Sequence, residues 1–332
     1  MPSVRRAFES AVGPAACLSA LALAITAPSN AQDGSEASEI KSALAAIQAK
    51  DQALQDIGWR LVARNAEFCS RKQVSAGLQL LDLRAFGEPD RIRAALDLGG
   101  DFLVQTVAEG SPAYNAALKP DAEVFAIDGK PLSDKPSKDS RDWRRLAEIH
   151  DEIDLAMSEA GEVALAMDDG RVVILSGIPV CATRFELDDG GKRAVADGKR
   201  VQIGADFPGY GYPEGEFAAA IAHELAHNIL GHRIWLDKEG RKRKNIRATE
   251  READRLMPWL LANAGYDPAS ALRFMQRWGP RHSGGIFRKR THEGWDERVE
   301  QIAAEIERMQ QSWAGDGPAN WRQHFVREIE AD

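Results

Sequence analysis

His223-Glu224-Leu225-Ala226-His227 constrains this chain more than any other stretch, because it ties a local conformation to a chemistry. An α-helix turns about 100° per residue, so a spacing of four brings both imidazoles to one face, where they can hold a metal ion. Glu224 follows His223 directly and is turned to the flank of that face, from which a carboxylate can take a proton from a metal-polarised water. The helix itself is legible. Glu216 to Ala222 runs into the motif with neither Gly nor Pro, and Gly231 closes it. Two histidines do not complete a site, so a third ligand must come from elsewhere in the fold.

Two candidates exist for that ligand. His232 lies five residues after His227 instead of six, so the metzincin pattern HExxHxxGxxH fails in register. Along a continuing helix it sits about 140° round from His227, and it reads as a histidine near the terminal carbonyls of a helix. Glu250 is the better candidate. In Glu250-Arg251-Glu252-Ala253-Asp254-Arg255-Leu256 it begins a second helix after a polar, basic connection. A carboxylate from a separate helix gives a His, His, Glu set with one position open. Asp254, one turn on, shares that face and is expected to hydrogen-bond a ligand histidine. Glu252 points away and reads as solvated or paired with a neighbouring arginine.

Together, the HELAH helix, the ExxAD helix with Glu250 and Asp254, and Ala264-Gly265-Tyr266-Asp267-Pro268 resemble the gluzincin peptidase family of HtpX and the CaaX prenyl protease, with the soluble relatives BepA, LoiP and Oma. The resemblance spans about residues 195 to 305. It implies a zinc metalloendopeptidase in which His223, His227 and Glu250 hold one Zn2+ and Glu224 is the general base. It also matches His292 and Arg298 to a downstream histidine and arginine, with Glu293 where the family carries proline. That histidine can approach the zinc or the substrate oxyanion, which makes His292 a catalytic candidate and Arg298 the residue holding its loop.

A chain of 332 residues exceeds one typical core, so more than one domain is expected. Arg5 and Arg6 precede an apolar stretch from Ala15 to Ile25 and then Ser29-Asn30-Ala31, which reads as a signal peptide over 1–31. The apolar run is short of the roughly 18 residues of a spanning helix. Cys17 falls within this leader and lacks the large aliphatic residue that a lipidation site carries three positions earlier. A periplasmic or secreted location follows, and there the two remaining cysteines, Cys69 and Cys181, are expected to form a disulfide. The formal charge of −8 argues against nucleic acid as a partner. Arg241-Lys242-Arg243-Lys244 reads as a solvated loop between the two zinc helices, and it leaves peripheral contact with an anionic membrane surface open. No pattern in the chain encodes an oligomeric state.

The expected architecture is α+β: an N-terminal helical region over 32–73, a PDZ-like β-rich domain over 74–180, and a mainly helical zincin-type metallopeptidase domain with a small sheet over 181–332. Ile40, Leu44, Ile47, Leu54, Ile57, Leu61 and Val62 recur at mostly helical spacing, an apolar stripe that packs on the enzyme. Phe102 to Val107, then Gly110-Ser111-Pro112-Ala113, then Val124 to Gly129 resemble the strand, helix and strand succession of a bacterial PDZ domain. Two departures stand out: Lys119 to Glu123 lacks the usual Gly-Asp, and Ala117 occupies a position often held by glycine. Trp143 to Ser158 reads as a helix and Val163 to Leu175 as a hairpin turned at Asp169-Gly170. In such a domain Gly77-Leu78-Gln79-Leu80 would begin a peptide groove, unless the region is a lid over the active site. Val201-Gln202-Ile203, the apolar strand before the HELAH helix, is the expected edge for an extended substrate. Two functions fit: an endopeptidase cleaving proteins or peptides of the bacterial envelope, misfolded ones included, or a PDZ-type binding, chaperone-like module with latent proteolysis.

Overall fold

The computed structural model describes residues 30–135, 143–188, 190–282, 294–313 and 317–329. The expected leader lies outside them apart from Asn30 and Ala31, and so does His292.

The apolar stripe belongs to one helix, α1 (Asn30–Arg64), of 35 residues, or about 52 Å. Its first half is one-sided, burying Ile40 and part-burying Leu44 and Ile47. From Asp51 to Val62 the helix is buried on several sides, so that Asp51 and Gln55 are covered as well as Leu54, Ile57 and Leu61. The cause is position, because α1 runs between the middle and C-terminal parts of the molecule and packs on both.

The middle part begins with β1 (Lys72–Ser75), β2 (Leu78–Asp82), α2 (Pro89–Leu96), β3 (Phe102–Val107), α3 (Pro112–Asn115), β4 (Val124–Ile127) and β5 (Lys130–Pro131). It continues through α4 (Trp143–Ala160), the hairpin of β6 (Glu162–Met167) and β7 (Val172–Ser176), and β8 (Ile178–Cys181). The helix and the hairpin fall where the sequence predicts them. β5, β4, β6 and β7 form an antiparallel sheet in that order, and β2 pairs with β3. Leu80, Val104, Ile127, Ile149, Met157 and Leu165 close these strands against α4 in one core. Ala117 has φ +58, a left-handed backbone that costs a residue with a Cβ about 1 to 2 kcal/mol.

β1 pairs antiparallel with β8, from Lys72 opposite Cys181 to Ser75 opposite Ile178, so the middle part leaves and rejoins the molecule at one place. The disulfide between Cys69 and Cys181 staples that junction, with the two Cα atoms 5.5 Å apart.

The C-terminal part holds β9 (Arg184–Asp188), β10 (Ala194–Ala196) and β11 (Arg200–Gly204), followed by α5 (Glu214–Ile229), α6 (His232–Glu239), α7 (Arg243–Asn263), α8 (Ser270–His282), α9 (Trp295–Ser312) and α10 (Trp321–His324). The fold is α+β with small sheets. A Cβ on Gly58 of α1 would stand 2.4 Å from the Phe185 ring of β9, so helix and sheet approach here only because that position is bare. Gly58→Ala is expected to cost about 2 kcal/mol, as ring and helix are forced apart. An unchanged denaturation midpoint would mean that the ring simply turns aside.

The sheet order corrects one expectation. β11 lies in the middle, antiparallel to β10 and parallel to β9, so Val201, Gln202 and Ile203 have partners on both sides. Val201 and Ile203 point fully into the core. No row of free backbone groups remains there for a substrate, and the edge beside α5 is β10. The connection between the two motif helices also differs from a loop: it contains α6, and α7 begins at Arg243, so Glu250 lies about two turns inside it. Arg241 to Lys244 are exposed at that junction. No helix among the described residues is long and apolar enough to cross a membrane.

Candidate metal centre

α5 starts after Pro213 with Glu214 and Glu216 in its first turn, where negative charge complements the helix dipole. The small residues Ala218, Ala219, Ala220 and Ala222 let neighbouring helices cover it almost completely. Gly231, at φ +71, ends its course and turns the chain into α6. α5 lies against α7, which brings Glu250 opposite the two histidines.

His223 Nε2 and His227 Nε2 stand 3.2 Å apart, and the Glu250 oxygens lie 3.5 Å from the first and 3.6 Å from the second. Zinc bound at about 2.0 to 2.1 Å in a tetrahedral set places its ligand atoms about 3.3 Å apart. The three separations therefore fit one ion of that size, and among the described residues this His, His, Glu group is able to hold a metal. The charges agree. Burial depresses His223, but Asp254 and Glu250 outweigh it and push this imidazole up to about 10, the mark of a cluster that attracts positive charge. Burial holds His227 well below its ordinary value.

Asp254, fully buried, faces His223 Nδ1 at 3.0 Å. Arg298 grips the same carboxylate through Nε at 2.5 Å and Nη2 at 2.7 Å, and its guanidinium lies 3.8 Å from Glu250. Asp254 is thus where the one-turn spacing predicts it. Arg298 acts on Asp254 in this structure, while the loop that it was expected to hold lies with His292 outside the described residues.

Glu224 is half-buried beside the triad. Burial first, and the charge of Glu250 after it, push its carboxyl up to about 7, while His223 and the backbone N–H of Ala196 pull the other way. In β10, Gly204 N–H bonds Arg193 C=O and Asp197 N–H bonds Arg200 C=O, so the odd-numbered residues face β11 and Ala194 and Ala196 face outward. One outward group, the Ala196 N–H, already meets Glu224.

Two residues stand elsewhere than expected. His232, 1% exposed, turns back from α6 so that its Nδ1 lies 2.8 Å from His227 Nδ1 and its Nε2 lies 3.0 Å from Glu252. Glu252 is not solvated. It is fully buried and also receives Arg327 at 2.9 Å, an arginine far away in the sequence. The 140° offset assumed a continuing helix, and Gly231 was the signal that the helix stops.

The segment Gly77 to Leu80 leads into β2 alongside α4, where a pocket lined by Gln79, Leu80, Trp143, Leu146 and Phe185 is crossed by side-chain bridges. Leu80 N–H donates to His150 Nε2 at 3.3 Å, and burial, helped by Arg184, pushes His150 down to about 4 so that it accepts as a neutral ring. Gln79 donates to Phe185 C=O at 3.2 Å, and Arg184 pairs with Asp154 at 2.5 Å and Asp151 at 2.7 Å. The start of β9 therefore bridges β2 and α4.

No family model matches this chain, and no curated protein matches it.

Proposed function

We propose that this chain is a zinc-dependent endopeptidase of the bacterial envelope, built as a zincin-type domain with a PDZ-like domain before it and akin to the gluzincin family of HtpX. The observation that carries the reading is the convergence of three ligand atoms at tetrahedral spacing with a carboxylate on their flank. His223 Nε2, His227 Nε2 and a Glu250 oxygen would hold the zinc, which when bound supplies Lewis acidity to a water and to a substrate carbonyl. Glu224 would take the proton from the attacking water as the water oxygen bonds to the peptide carbon, and would return it to the amine nitrogen as the C–N bond breaks. Ala196 N–H steadies Glu224, and the outward groups of β10 offer an extended substrate an edge to pair with. The disulfide supports an exported location.

The reading as a peptide-binding module asks more of the structure, because a strand added at β2 must displace His150 from Leu80 and the Arg184 pairs from α4.

Incubation of the purified chain with an unfolded protein tests the proposal. Cleavage is expected, abolished by a chelator and restored by zinc. Glu224→Gln is expected to keep its metal and lose at least a hundredfold to ten-thousandfold in rate, the range for a general base. A chain that binds zinc and cleaves no peptide bond would turn the argument toward binding.

A further inference from the structure

We infer that His232, Glu252 and Arg327 form a hydrogen-bond chain that fixes His227 as a metal ligand, making the C-terminal segment of the protein part of the metal site. The inference rests on the zinc reading above and extends it to residues that neither motif contains.

The argument is one of tautomers. His227 turns Nε2 toward His223 and Glu250, so Nδ1 is the ring atom left for the protein, and it lies 2.8 Å from His232 Nδ1. Two imidazole nitrogens at that distance need one donor and one acceptor. The next link decides which is which. His232 Nε2 lies 3.0 Å from Glu252 Oε2, an oxygen that also accepts from Arg327 Nε at 2.9 Å. The other oxygen accepts from Ile329 N–H at 3.0 Å and from Glu328 N–H. Surrounded by donors, Glu252 acts as the acceptor, so His232 carries its proton on Nε2 and presents a lone pair at Nδ1. His227 must then carry its proton on Nδ1, which leaves Nε2 bare toward the metal.

The two histidine ligands are therefore oriented by different routes. His223 faces a carboxylate directly, with Arg298 behind it. His227 reaches its carboxylate through a second imidazole, and the cation behind it comes from the far end of the sequence. Arg327 also donates to Leu230 C=O at 3.1 Å, spanning the Gly231 turn that brings His232 into place. Its neighbours are anchored on α7, with Arg251 on Glu328 at 2.7 Å and Arg255 on the Val326 carbonyl at 3.1 Å. His232 is 1% exposed and Glu252 0%, so in the intact chain bulk water does not compete for these links.

The test is zinc affinity, measured on the full mature chain by competition with a chromogenic chelator, alongside the melting temperature. His232→Ala is expected to weaken zinc about 10- to 100-fold, as loss of a ligand's hydrogen-bond partner does. His232→Asn, whose side-chain oxygen replaces the lone pair at Nδ1, is expected to recover most of that loss, a rescue that a mere packing role would not give. Arg327→Met leaves His232 in place and keeps the question answerable if alanine at 232 does not fold; about threefold or more is expected from it. Wild-type affinity in His232→Ala, or equal losses in the alanine and asparagine variants, would overturn the inference while the zinc site stood. A wild-type chain that binds no zinc would instead remove the reading beneath it.

Discussion

Alanine in place of His223, His227 or Glu250 is expected to strip the zinc, and with it all hydrolysis, from an otherwise folded chain. On the proposed reading each residue supplies one of the three ligands found among the described residues, at mutual distances of 3.2, 3.5 and 3.6 Å. Loss of one ligand should weaken the metal by on the order of a thousandfold or more, against total binding free energies of about 10 to 16 kcal/mol for zinc sites. Elemental analysis after dialysis reads the result directly. Asp254→Ala provides the graded comparison: it leaves all three ligands and removes the carboxylate facing His223 Nδ1, so about a 10- to 100-fold loss is expected. Full occupancy in Glu250→Ala would exclude the three-ligand set. His232 is a poor substitute, since its two nitrogens are already turned to His227 and Glu252.

What could be read from the chain, and what could not, divides by the range of the interactions. The His223 and His227 pair and the Glu250 and Asp254 pair are set by helical periodicity within a few residues, and both appear in the structure with the faces that spacing assigns. That the two pairs face one another is a matter of helix packing, which periodicity does not fix; Glu250 is reached as a carboxylate on a separate helix, and α5 against α7 brings it opposite the histidines. Strand order was out of reach. Val201 to Ile203 forms a strand as its apolar alternation suggests, but that β9 would cover its second side in parallel register depends on residues across a connection containing β10. Glu252 fails for a related reason: its partners Arg327, Glu328 and Ile329 come from the end of the chain, and no local rule marks them. His232 was nearer to legible. Gly231 reads in the sequence as the end of the HELAH helix, and applying that stop to His232 breaks the continuing-helix projection. For α1 the pattern marked which residues are buried, but not that Asp51 and Gln55 would be covered too, because the stripe carries no trace of a second body packed on its other side.

Removal of the Cys69–Cys181 disulfide is expected to lower stability by about 5 kcal/mol, the loop-closure value for a bond across 112 residues in the chain-entropy model. The native state places little in the way of that full value, because the cysteines already adjoin a paired ribbon, β1 with β8, whose register begins at Cys181 itself. The consequence for the metal is separable from the consequence for the fold. A small cavity lined by Cys69, Cys181, Thr183, Asn228 and Ile229 joins the disulfide to the end of α5, two residues beyond His227. Asn228 there receives the Gly198 N–H at 2.7 Å and donates to the Arg200 carbonyl at 3.0 Å, so the end of α5 is fastened to the sheet independently of the cysteines. Zinc content is therefore expected to survive in the Cys69→Ala, Cys181→Ala double variant while its denaturation midpoint falls. Titration of the wild-type chain, unfolded without reductant, should find no thiol from this pair. Two reactive thiols, or a midpoint unmoved by reduction, would show that the bond is not what closes the middle part onto the rest, and loss of zinc together with the bond would mean that the fastening by Asn228 is too weak to hold His227 alone.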